Sequence, residues 1–132
     1  MKRLAYVTVM ILFMLSLSIS LEDQCLAQQK DPVRFKVINT FNPDFGDIKK
    51  AQLIQFEMDP GAEVKDFKLS CSEILWVTEG VFTYNYKNKG GDKVVEKKEG
   101  DSWFHSEGIL LDVGNKGNTT AILRGVQFLK TE

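Results

Sequence analysis

The chain has 132 residues, a formal net charge of −1 at pH 7, two cysteines and one histidine. That length suits a single domain whose core is large enough to fold alone. The balanced charge argues against a nucleic-acid surface or a basic membrane-binding face.

Met1 is followed by Lys2 and Arg3, then by a nearly unbroken apolar run from Leu4 to about Ile19; polarity returns at Glu22, Asp23 and Gln24. A basic start, a greasy middle and a polar exit ending in Cys25-Leu26-Ala27 compose a secretory signal, with cleavage expected after Ala27. Two alternatives stand beside it. Lipid attachment at Cys25 is disfavoured by Asp23-Gln24, where lipoprotein signals carry small residues. A retained anchor is disfavoured because Thr8, Ser16 and Ser18 interrupt the run, which falls short of the ~20 apolar residues of a comfortable span. The expectation is a signal peptide over 1–27 and one domain over 28–132, exported to the periplasm or beyond. Within that domain Cys71 is the sole thiol, so no internal disulfide is expected, and a core of this size does not need one.

From Val33 onward the pattern is that of strands. Val33 to Val37 alternates apolar and charged residues, the period-two signature of a half-buried strand. Gln52, Ile54, Phe56 and Met58 share one face of the next segment, which Asp59-Pro60-Gly61 closes with turn chemistry. Ile74–Thr78 and Val81–Tyr86 are rich in β-branched and aromatic residues and are split by Glu79-Gly80. Asn88 to Asp92 reads as a hairpin tip, Val94-Val95 restart a strand, and a last strand runs from about Thr119 to Leu129. The lysines from Lys87 to Lys98 are interleaved with acids, as on a solvated hairpin. No segment keeps a helical period with caps, so an all-β sandwich or barrel is expected.

Two stretches carry more than pattern. Gly61, Glu73 and Gly80 stand at the spacings of the first cupin motif, with Pro60 before and Trp76-Val77-Thr78-Glu79 leading into the last glycine. Gly100-Asp101, Gly108 and Asn115 resemble the second motif, after the short gap seen in small bacterial cupins. The chain therefore resembles the cupin superfamily over residues 50–129, and the resemblance implies a jelly-roll-like, double-stranded β-helix barrel. It also implies a metal site that this sequence has lost in large part. The family's two first-motif histidines fall on Phe67 and Leu69, and the second-motif histidine on Leu111, leaving Glu73 alone of four ligands. Phenylalanine and leucine offer a metal no lone pair, and a catalytic site usually keeps three or more protein ligands. The metal-dependent dioxygenase or isomerase that the family suggests is thus not expected, and no cofactor is.

By the same resemblance Phe67, Leu69, Glu73 and Leu111 project into the barrel, and strand alternation adds Leu75 and Val77. The lumen becomes an apolar cup holding one carboxylate. Burial disfavours the charged form of such a group. Glu73 is then a neutral donor to a ligand, the partner of a cation, or a structural remnant. His105 reads as an imidazole satisfied by a backbone carbonyl, or as a general acid or base beside Glu73 or Tyr84. Trp103 and Phe104 read as core. A substitute metal site from Cys71, Glu73 and His105 lacks a recognised spacing, and a buried thiol is the simpler reading. Phe82, Tyr84 and Tyr86 form a stripe suited to core packing or, at an opening, to stacking on a ligand.

Three functions follow as expectations. The first is an exported, metal-free binding module that holds a small, partly apolar molecule in contact with Phe67, Leu69, Glu73, Leu75, Val77 and Leu111. The second is a metal-independent isomerase, lyase or cyclase with Glu73 and His105 as its acid–base pair. The third is a structural barrel that forms a homodimer through its edges.

Overall fold

The computed structural model describes residues 31–88 and 90–130. The expected signal segment and its cleavage position lie outside the described residues. Among the described residues nine strands follow one another: β1 (Val33–Phe41), β2 (Ile48–Met58), β3 (Glu63–Lys68), β4 (Ser72–Glu79), β5 (Val81–Asn88), β6 (Gly91–Lys98), β7 (Ser102–His105), β8 (Leu110–Gly114) and β9 (Ala121–Lys130). They form a five-stranded sheet of order β1-β2-β9-β4-β7 and a four-stranded sheet of order β3-β8-β5-β6. Every named pairing is antiparallel. The first half of the chain thus supplies strands to both sheets, and β9 returns between β2 and β4.

Register sets which side chains meet inside. Across the larger sheet Phe56 faces Leu123, which faces Val77; Ile54 faces Gly125, which faces Leu75. Gln127 stands opposite Glu73, and Glu73 opposite His105. Paired residues of antiparallel strands project to the same side, so these rows share the inner face. From the smaller sheet Phe82 and Tyr84 on β5 and Leu111 and Val113 on β8 turn inward to the same core. The outer row Val126, Ile74 and Phe104 is the complement of this parity. Phe104 is therefore exposed rather than part of the core, whereas its neighbour Trp103 packs against the core as expected.

The framework glycines are needed for conformation. Gly61, Gly80, Gly100 and Gly108 all have positive φ, at 79°, 72°, 87° and 88°. At Gly80 a Cβ would also meet the Ala121 Cα at 2.9 Å, so both backbone shape and space demand glycine. Asn115 is buried and fully engaged. Its Nδ2 donates to the carbonyls of Met58 at 2.9 Å and Thr119 at 2.7 Å, and its Oδ1 accepts the Gly117 N–H at 3.0 Å. Its backbone exchanges hydrogen bonds with Gly61 and Ala62. One side chain thus joins the β2–β3 turn to the β8–β9 loop.

Two strands that the alternation does not announce, β3 and β8, pair through an irregularity. Val64 faces Val113 and Phe67 faces Leu111, so β3 carries one extra residue between these pairs. Asp66 takes a left-handed conformation there, with φ 52°, as at a β-bulge. The Asp66 N–H donates to Asp112 Oδ1 at 2.8 Å, and Lys87 bridges the carboxylates of Asp66 and Asp112. The backbone hydrogen bond to Asp66 is the main reason that the Asp112 carboxyl titrates below its usual range, with Lys87 adding to it. Without the bulge Val64 and Phe67, three residues apart, would face opposite sides of the strand.

Candidate functional site

A cavity of about 410 Å3 opens between the two sheets. Its walls are mostly hydrocarbon. The larger sheet contributes Ile54 and Phe56, Leu75 and Leu123; the smaller contributes Val64, Leu111 and Val113; Leu69 and Ser70 come from the β3–β4 connection. Phe35 and Phe67 also line it while remaining 55% and 46% exposed, which places them at its mouth. They sit on β1 and β3, an edge strand of each sheet. β1 is held in position by Arg34, whose guanidinium binds Glu57 at 3.0 Å and Asp59 at 2.8 and 3.1 Å.

The polar part of the wall is one connected chain of side chains. Glu73 is 5% exposed and His105 2%. The Trp103 indole N–H donates to His105 Nε2 at 3.0 Å, and the Tyr86 hydroxyl lies 2.7 Å from the same nitrogen. An indole N–H can only donate, so Nε2 must present its lone pair and the ring proton must sit on Nδ1. That proton points to Glu73 Oε1 at 3.2 Å. Glu73 Oε2 in turn accepts from the Gln127 amide at 3.1 Å. The carboxyl accepts on both oxygens, from the His105 ring and from the Gln127 amide.

Aromatic rings enclose this chain. Tyr84 stacks on Tyr86 with centroids 5.9 Å apart and meets His105 edge-on at 5.4 Å. Burial, then the Glu73 charge, pushes the Tyr86 hydroxyl up to about 12, and the same two causes hold Tyr84 protonated well above the usual phenol range. Cys71 lies two residues before Glu73 and is buried; desolvation, then Glu73, raises its thiol.

The cavity brings together Phe67, Leu69, Glu73, Leu75 and Leu111, with His105 beside Glu73. Val77 is buried in the core but does not line the cavity, because it continues the β4 row past Leu75 toward Leu123. His105 is satisfied by side chains rather than by a backbone carbonyl. The Phe82–Tyr84–Tyr86 stripe packs into the core, and only Tyr84 of the three reaches the cavity. Gln127, Tyr86 and Trp103 are partners of the site that motif spacing alone does not single out. A polar residue at inward parity on the apolar β9, and Trp103 two residues before His105, were the signals available.

The residues present do not fit a cupin metal. At the positions where the family carries histidines, Phe67, Leu69 and Leu111 offer hydrocarbon. Among the described residues no group of three or more His, Cys, Asp and Glu is arranged to hold an ion. Glu73 has one neighbouring side chain that could ligate with it, His105, which makes two groups where a catalytic site usually has three or more.

No protein-family model matches the chain, and no curated protein matches it in sequence. Solved structures do. The chain is similar to a cupin domain from Bordetella pertussis, with a TM-score of 0.57 and 14% identity, covering 77% of this chain and 98% of that one. It is similar to an RmlC-like cupin family protein with a double-stranded β-helix fold from Methanocaldococcus jannaschii, with a TM-score of 0.60 and 10% identity, covering 78% and 85%. An oxalate oxidase in complex with the substrate analogue glycolate is also similar, at a TM-score of 0.54 and 15% identity, over 61% of this chain and 43% of that protein. Identities this low speak to architecture and not to chemistry. The described domain has the double-stranded β-helix fold of the cupin superfamily.

Proposed function

We propose that this chain is a cupin-fold binding protein that works outside the cytoplasm and holds a small, partly apolar molecule between its sheets. The observation that carries the reading is the cavity of about 410 Å3, walled by Leu69, Leu75, Leu111 and aromatic rings around a single carboxylate. Small-molecule sites run from roughly 300 to 1,000 Å3 and combine apolar walls with a few placed polar groups. A barrel with a purely structural or dimerising role has no need of such a void. Export is supported by the basic, apolar and polar succession of residues 1–27.

An acid–base role for Glu73 and His105 has their 3.2 Å contact in its favour. Against it, both ring nitrogens of His105 are directed at protein partners, so neither a proton nor a lone pair is offered to a ligand.

The test is to denature the purified full chain, identify released small molecules by mass spectrometry, and return them in a thermal-unfolding assay. A true ligand at about a hundredfold excess over its Kd adds about 2.7 kcal/mol of stability. It should be recovered unchanged after incubation, and Leu111→Trp, which fills the cavity, should abolish the stabilisation. Conversion of the ligand would favour the enzyme reading, and undiminished binding to the filled variant would place the ligand elsewhere.

A further inference from the structure

We propose that the molecule held in this cavity is an organic ammonium ion: a protonated amine on a compact apolar or aromatic body, docked on Glu73. The inference rests on the binding role just given and names the ligand class for that same cavity.

Charge is the first reason. Glu73 is the single charged side chain among those lining the cavity apart from the ring of His105; no lysine or arginine contributes to the wall. The nearest nitrogen to the carboxyl is His105 Nδ1, 3.2 Å from Oε1, and the Trp103 N–H is directed at the other ring nitrogen. Gln127 is an uncharged donor. A carboxylate this buried, with no lysine or arginine in the wall around it, lacks the permanently charged partner that buried charges normally have.

Valence is the second. An ionised carboxyl has about four acceptor sites. The protein uses two, one on each oxygen. The remaining sites belong to a group that lines the cavity, and they call for a donor. An ammonium supplies up to three N–H groups and a full positive charge, so it satisfies both the hydrogen bonding and the charge. A carboxylate or phosphate ligand would meet repulsion from Glu73 in a poorly screened space. A wholly apolar ligand would seal the carboxylate away from water with sites unmet.

The walls are the third. Phe35, Phe56, Phe67 and Tyr84 line the same cavity. Their ring faces attract a cation as well as an apolar body. Phe35 and Phe67, half-exposed at the mouth, are placed to meet the body of the ligand as it enters.

The experiment compares three probes of one shape on the full chain: 2-phenylethylammonium, 2-phenylethanol and phenylacetate. Binding is followed by nitrogen–proton NMR of the Gln127 side-chain amide and the Trp103 indole. The expected result is that the ammonium binds about tenfold or more tightly than the alcohol, as a charge-assisted contact and ring faces together imply, and that phenylacetate binds weakest. In Glu73→Gln the ammonium should fall to the level of the alcohol, while binding of the alcohol shows that the cavity is intact. An alcohol or carboxylate that binds the unmodified chain as tightly as the ammonium overturns the inference and leaves the binding role standing. If none of the three perturbs Gln127 or Trp103, both fail. The comparison on the unmodified chain decides the matter even if Glu73→Gln does not fold.

Discussion

Replacing Gly125 by alanine should be among the most damaging single-methyl changes available to this barrel. Gly125 lies on β9 opposite both Ile54 and Leu75. A Cβ built there falls 2.4 Å from Leu75 Cδ2 and 2.6 Å from the Ile74 carbonyl oxygen. Leu75 can rotate, but only at the expense of the cavity that it lines. The carbonyl cannot, because β4 is paired on both sides, to β9 and to β7. Ordinary C···O contacts lie near ~3.3–3.6 Å, so the strands must separate by about 0.7 Å or more. Overpacking of this kind costs about 1–3 kcal/mol, and a clash with fixed backbone belongs at the upper end. For a domain of this size about 3 kcal/mol lowers the thermal midpoint by roughly 12–24 °C. Circular dichroism melts of the full chain measure it, with Gly114→Ala as the control. There the new Cβ meets its nearest neighbour, the Ala62 carbonyl oxygen, at 3.5 Å, an ordinary contact. That change should be neutral or stabilising by about 0.4–1 kcal/mol. In a Leu75→Ala background the Gly125→Ala penalty should shrink without vanishing. A Gly125→Ala midpoint within about 4 °C of the parent would refute the packing argument, since that shift corresponds to no more than about 1 kcal/mol.

Two further outcomes are expected. Asp112 titrates below its ordinary value of 3.8 in the folded chain, first through the Asp66 N–H and then through Lys87. Its contribution to stability is therefore complete above that ordinary value and is lost as pH falls through the lower folded value. Denaturant midpoints measured from neutral to strongly acidic pH should show this loss in the parent and a shallower one in Asp112→Asn. Asn115→Ala removes the donor to the buried carbonyl of Met58 and to the more exposed carbonyl of Thr119, so the penalty falls on the Met58 acceptor. An orphaned buried acceptor costs about 1–3 kcal/mol, and hydrogen exchange should show the β2–β3 turn and the β8–β9 loop loosening together.

What was legible in the sequence follows from which forces are local. Alternation in Gln52–Met58 revealed a strand, because burial on one face has period two; Val33–Val37 is a strand as well, but as part of an edge strand it leaves Phe35 and Val37 exposed. The glycines at 61, 80, 100 and 108 were legible as motif positions, and each takes the positive φ that few other residues adopt. The inward set of Phe67, Leu69, Glu73 and Leu111 came from motif register. The β3 bulge was not legible. It depends on one inserted residue whose N–H is received by Asp112, 46 residues away in the chain. Nor were the partners of His105, since Trp103 and Tyr86 reach it from two different sheets. Val77 shows the same limit from the other side: its parity was right, but the cavity ends before it.

The buried thiol of Cys71 has a consequence for how this domain can be studied. A cysteine that is both shielded and kept protonated reacts with alkylating reagents only when its surroundings come apart. Its modification rate in unfolding-free buffer is therefore a stopwatch for rare openings of the β3–β4 corner, next to the carboxylate. Because Cys71 belongs to no disulfide among the described residues, its thiol is free to report those openings.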